Sequence, residues 1–161
     1  MFNMNKNNTI GLISFLDETT VKAKISVKSW EGAVDQVGAV MVCAGIVTES
    51  YIGAMKETIR QIGPYCVIAP GIAMPHARPE DGVLRSGLSL ITLATPVEFG
   101  NAYNDPVDIV IGLAALDKKS HVEALRELAI YFGDNGFIQS VRLAKTKDKL
   151  IKALNIERKE A

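Results

Sequence analysis

Histidine and cysteine are both scarce in this chain, with two of each among 161 residues. Zinc needs three or four protein ligands at recognisable spacings. His76, His121, Cys43 and Cys66 lie too far apart to supply them, so no metal site is expected. Cys43 falls in an apolar helical run and Cys66 in an apolar segment, and neither has a basic neighbour in sequence to stabilise a thiolate. Both read as buried free thiols of a reducing cytoplasm. No apolar run approaches the length of about 18 residues that a membrane span requires. Met1 to Asn8 is polar and lacks the apolar core of a secretory signal, so export is not expected and a cytoplasmic location is. Eighteen basic residues balance 18 acidic ones. That balance leaves no overall positive field to draw nucleic acid or an acidic membrane. Glycines 71, 82, 87, 100 and 112 are scattered, so there is no phosphate-cradling loop and no dinucleotide fingerprint. A Gly-x-Ser-x-Gly nucleophile elbow is also missing. No cofactor is implied.

What remains is a globular composition, 48% hydrophobic and 22% charged, of a length that builds one core. Residues 1–9 read as a flexible terminus, 10–155 as a single domain and 156–161 as a charged tail. Ile10 to Leu16 could form a first strand, and Asp17 to Lys28 is mixed, a loop that could hold some strand. Ser29 is positioned to cap a helix reaching Ala44, with Trp30, Ala33, Val34, Val37, Val40 and Met41 repeating at helical spacing. Thr48 opens a second helix that Gly63-Pro64 stops. The period then changes. Tyr65–Ala69, Leu88–Leu93 and Val107–Ala115 are apolar and rich in β-branched residues, and Val97–Phe99 adds a short extended piece. Helices follow over Ser120–Phe132, Asp134–Ala144 and Thr146–Leu154. A layered α/β sandwich buries these faces most simply.

The distinctive segment is Ala69-Pro70-Gly71-Ile72-Ala73-Met74-Pro75-His76-Ala77-Arg78-Pro79. Proline fixes its own φ and biases the preceding residue towards extended conformations. The loop is therefore stiff, and it holds one imidazole in a defined direction. It reads either as an incidental proline-rich turn or as the mount of a nucleophile. Neutral imidazole is abundant near pH 7 and attacks phosphorus without a separate base. If a backbone carbonyl holds Nδ1–H, Nε2 becomes the exposed nucleophile. His121 follows Ser120, which with Glu123 matches a capping box and places His121 at the first helical position. It either packs at a helix start or joins His76 around an anion. Arg60, Arg78 and His121 are the candidate donors to a phosphoryl group. Glu80 and Asp81 read as a solvated acidic turn.

These residues resemble a known family. Gly63-Pro64-Tyr65 through Met74-Pro75-His76 is similar to the active-site signature of mannitol/fructose-type IIA components of the bacterial phosphoenolpyruvate-dependent sugar phosphotransferase system. The likeness continues through Asn104-Asp105-Pro106, Val110–Ala115 and Ser120–Leu125, and spans about Trp30 to Leu154. It implies a three-layer α/β/α sandwich, with a mixed β-sheet flanked by helices. It also implies that His76 accepts a phosphoryl group from the phosphocarrier HPr and passes it to a cysteine of a cognate IIB component, which serves a membrane IIC permease. His121 would be the second active-site histidine, and Arg60 would match an arginine of mannitol-type members. Many members carry glycine after the active histidine, where this chain has Ala77. The string Pro75-His76-Ala77-Arg78-Pro79-Glu80-Asp81-Gly82 looks instead like the ascorbate-specific branch. Two other functions fit the same residues: a regulatory phosphohistidine module that serves no transport, and a small-anion-binding domain that is never phosphorylated.

Overall fold

Along one strand Leu88 and Leu90 join the core on one side of a sheet, while Ile91 and Leu93 join the core on the other. The period of two is that of a strand buried on both faces. The computed structural model of the chain describes residues 15–156. Its elements, in order, are β1 (Val21–Ile25), α1 (Trp30–Cys43), α2 (Glu49–Ile62), β2 (Val67–Ala69), β3 (Ile72–Ala73), β4 (Gly87–Val97), β5 (Val107–Ala114), α3 (Lys118–Phe132), α4 (Asn135–Leu143) and α5 (Lys147–Ala153). A single 3-10 turn at Pro79–Asp81 lies between β3 and β4.

The sheet order is β1-β4-β5-β3-β2. β1 runs parallel to β4 and β3 parallel to β5, while the β4/β5 and β2/β3 pairs are antiparallel, so the sheet is mixed. Helices α1 and α2 cover one face, where Val34, Val37, Met41, Met55 and Ile59 meet Ile91, Leu93 and Val110. The three C-terminal helices cover the other, where Leu128, Val141 and Leu150 meet Leu90, Ile109 and Ile111. The expected three-layer α/β/α sandwich is thus what the chain forms. Ser29 caps α1 as foreseen, its hydroxyl accepting from Gly32 N–H at 3.2 Å. A Cβ at Gly38 would lie 2.5 Å from Ile52 Cγ1, so α1 and α2 approach this closely only because that position lacks a side chain.

Several boundaries differ from expectation. A first strand over Ile10–Leu16 lies outside the described residues except at Phe15 and Leu16, which carry no strand. The edge strand β1 is instead the stretch of strand allowed for within segment 17–28. Residues 65 and 66 do not extend β2, because Tyr65 turns out to solvent, 79% exposed. β4 runs on through Val97 and merges two segments read separately. Cys43 is exposed rather than buried, because it falls on the outer face of α1, two residues past Met41. Cys66 is buried as expected, and burial pushes its thiol up to about 12. Both cysteines are free.

Candidate active site

The His76 loop is anchored before and after the imidazole. Before it, Gly71 turns the chain with φ +77°, in the left-handed region that glycine tolerates. A Cβ there would collide with Arg142 Nη2. That guanidinium donates through Nε to both oxygens of Asp108 at 3.0 Å and through Nη2 to Pro70 O at 2.7 Å. Gly71 O in turn accepts from Asp108 and Ile109 N–H at 3.0 Å. β3 is only two residues long, yet it pairs on both sides, with β2 and β5. Beyond it, Met74 N–H donates to Cys66 O at 2.7 Å and Leu113 N–H donates to Pro75 O at 3.1 Å. Ala77 N–H donates to the Tyr51 hydroxyl at 2.9 Å. The 3-10 turn then carries the chain away, with Arg78 N–H on Asp81 Oδ2 at 3.0 Å.

Within this frame His76 Nδ1 lies 3.0 Å from Met74 O. A carbonyl oxygen only accepts, so Nδ1 carries the proton and Nε2 keeps a free lone pair. The half-buried ring faces His121 edge-on, with centroids 5.7 Å apart and planes at 65°. Both rings line an open pocket of about 280 Å³, whose walls include Ala77, Pro79, Asp117 and Lys118. His121 is held below the usual histidine range, first by burial and then by the charge of a protonated His76. It is thus neutral near pH 7, with one N–H to donate and one nitrogen to accept.

Of the residues singled out in the sequence, the fold brings His76 and His121 together at one pocket and leaves Arg60 and Arg78 outside its lining. Arg60 does not line the pocket. Its guanidinium lies over the Trp30 ring, 5.6 Å from the centroid, and 3.6 Å from the Glu57 carboxylate. It sits nine residues past Tyr51, about 13–14 Å further along α2 at the helical rise. Arg78 is likewise outside the pocket lining and is 74% exposed. It folds back on Asp81 at 3.3 Å and Glu80 at 3.7 Å, an arrangement that holds the Asp81 carboxyl below the usual carboxylate range. The cation in the lining is Lys118, which the sequence reading missed. The cause is the helix start. Ser120 is not the N-cap. Asp117 is, and its carboxylate accepts from Ser120 N–H and Ser120 Oγ–H at 2.8 Å. α3 therefore begins at Lys118, three residues early, and His121 stands at its fourth position with its own N–H on Asp117 O. Asp is as good an N-cap as Ser, and Asp117-x-x-Ser120 was the signal that could have placed Lys118. Among the described residues no group of three or more His, Cys, Asp or Glu is arranged to hold a metal ion. No described helix is long and apolar enough to cross a membrane.

The family profile "Phosphoenolpyruvate-dependent sugar phosphotransferase system, EIIA 2" matches residues 14–156. The chain belongs to that family. The resemblance drawn from the His76 loop is borne out over the whole domain. Among relatives of this EIIA 2 chain is the "Ascorbate-specific PTS system EIIA component" of Salmonella choleraesuis, 37% identical over 139 residues that cover 86% of this chain and 90% of that protein. The Escherichia coli protein of the same name is also 37% identical, with the same coverage. In three dimensions the chain is similar to the solution structure of the mannitol-specific cryptic phosphotransferase enzyme IIA CmtB from Escherichia coli. That similarity has a TM-score of 0.78 at 33% identity and covers 89% of this chain and 97% of that one. Membership of EIIA 2 makes the chain a IIA component of the sugar phosphotransferase system.

Proposed function

We propose that this EIIA 2 protein is the cytoplasmic phosphoryl relay of an L-ascorbate uptake system, with His76 as the acceptor. The observation that carries the reading is the Nδ1 contact with Met74 O, which leaves Nε2 as the free nitrogen of a ring lining the pocket shared with His121. In the first step the Nε2 lone pair attacks the phosphorus of phospho-HPr. The N–P bond forms, the bond from phosphorus to its donor atom breaks, and that atom keeps the electron pair. The product carries its proton on Nδ1 and the PO₃ unit on Nε2, and Met74 O stabilises the positive charge that the ring acquires. In the second step a thiolate of the cognate IIB component attacks the same phosphorus. The S–P bond forms, the N–P pair returns to Nε2, and His76 is again neutral with Nδ1–H in place. Charge on the phosphoryl oxygens is met by His121 N–H and by Lys118, donors positioned before the reaction begins. A membrane IIC permease is then the downstream partner of IIB.

The assignment to ascorbate rests on the relatives named above and on the Pro75–Gly82 string, because a IIA component does not itself touch the sugar. Incubation with phosphoenolpyruvate, enzyme I and HPr, followed by mass spectrometry, tests the acceptor. An acid-labile, alkali-stable adduct on His76 that disappears on adding an ascorbate-type IIB supports the relay. An adduct that forms but never moves to IIB favours a regulatory module. No adduct at all, or one that survives His76→Ala, overturns the assignment.

A further inference from the structure

We infer that the buried hydroxyl of Tyr51 is a positioning group for the acceptor, fixing the peptide plane behind His76 so that Nε2 keeps one direction. Two peptide planes flank His76. The first contains Pro75 C=O, which accepts from Leu113 N–H at 3.1 Å. The second contains Ala77 N–H, which donates to Tyr51 Oη at 2.9 Å. The same hydroxyl has one proton to give. It donates to Leu113 O at 2.7 Å, with Ala77 O a more distant acceptor at 3.2 Å. Both planes are therefore tied to one residue of β5, the first directly and the second through the phenol. Pinning both planes fixes φ and ψ of His76 and hence its Cα–Cβ direction. The Met74 contact then fixes the ring.

The phenol suits this duty. Tyr51 is fully buried on α2, so no water competes for its hydroxyl. Burial also pushes its pKa up to about 12, which keeps the donor proton in place at any physiological pH. Phenylalanine at this position would fill the same space. It would leave Ala77 N–H and Leu113 C=O without their partner in a dry site, and the second plane would be free to rotate. The kinetic consequence rests on the relay reading above; the structural one does not.

The experiment compares wild type, Tyr51→Phe and Met55→Ala, the last a core variant one turn along α2 whose side chain is not a partner in the loop hydrogen bonds. At saturating phospho-HPr, Tyr51→Phe should transfer about tenfold more slowly with little change in KM, since misdirection of a nucleophile acts on the chemical step. Met55→Ala should lower the thermal midpoint at least as much and leave the rate within about twofold of wild type. Nitrogen-15 spectra of the histidines should show a single Nδ1–H tautomer at His76 in wild type and a mixture in Tyr51→Phe. Amide exchange at Ala77 in the wild-type protein gives a reading that needs no variant, and slow exchange is expected. Tyr51→Phe with a wild-type rate and one tautomer, equal slowing by Met55→Ala, or Ala77 exchanging as fast as an open loop would each overturn the inference. If wild type itself takes no phosphoryl group, the relay reading falls, and the tautomer and exchange results still decide the role of Tyr51.

Discussion

His76 and His121 face each other across one pocket and are held in opposite ways. His76 sits in a loop between two prolines. Its Nδ1 is committed to a backbone carbonyl, and hydrogen bonds hold the peptide groups on either side of it. His121 is mounted on the opening turns of a helix and owes its position to the Asp117 cap rather than to a lock on its ring. Burial keeps His121 below the normal histidine range. In the relay proposed above, the contrast separates two duties. A covalent acceptor needs one tautomer and one direction before the donor arrives. A donor to the phosphoryl oxygens needs only to lie within reach, and it gains from becoming cationic once the dianion is present.

The largest effect that tests this division is at the acceptor. His76→Ala should abolish labelling by phospho-HPr altogether, as read by mass spectrometry, while His121→Ala should still be labelled at His76. Next in size, His121→Ala should slow the transfer about 10²-fold, the usual loss when one preorganised donor to a developing charge is removed. Equal and complete loss in both variants would erase the distinction. Lys118→Ala should cost about tenfold in the rate of phosphoryl acceptance, in line with one charge-assisted hydrogen bond. Arg60→Ala and Arg78→Ala should each change the same rate by less than about twofold, because their guanidiniums are engaged with Trp30 and Glu57 and with Asp81. Rapid-quench kinetics on the three variants would reverse the ranking if either arginine dominated.

The smallest effect concerns protons. In the free protein His121 should take up its proton below pH 6.5, the ordinary histidine value, and phosphorylation of His76 should move that uptake upward, since a nearby dianion favours the imidazolium. A histidine whose folded pKa is depressed contributes its full stability above the unfolded value, near 6.5, and loses it as pH falls through that point towards the folded value. Thermal midpoints should therefore dip slightly below about pH 6.5 in wild type and less so in His121→Gln. A midpoint that rose as pH fell through this window would reverse the sign assigned to His121.

Periodicity and punctuation made most of the fold legible. The apolar stripes of α1 and α2, the stop at Gly63-Pro64 and the two-sided apolar strands β4 and β5 all depend on local spacing, which a sequence displays directly. The pieces that were missed depend on distant partners. β3 is two residues long, too short to have a period, and exists because β2 and β5 flank it. At the candidate site, residue type and loop chemistry single out His76 and His121, and the fold brings their rings together. Lys118 was not legible, because its place follows from which of two good caps, Asp117 or Ser120, starts the helix. By its spacing Tyr51 is one more buried residue of the α2 stripe that Met55 and Ile59 share. Its hydroxyl acquires a role only where Ala77 and Leu113, 26 and 62 residues away in sequence, converge on it.

The most direct test of the account is to locate the phosphorus within the ring. Phosphorylated protein carrying nitrogen-15 histidine, examined by long-range proton–nitrogen correlation, should show the N–P bond at Nε2 of residue 76 and a retained proton on Nδ1. A phosphoryl group on Nδ1, or on His121, would contradict the claim that the Met74 carbonyl selects the nucleophile.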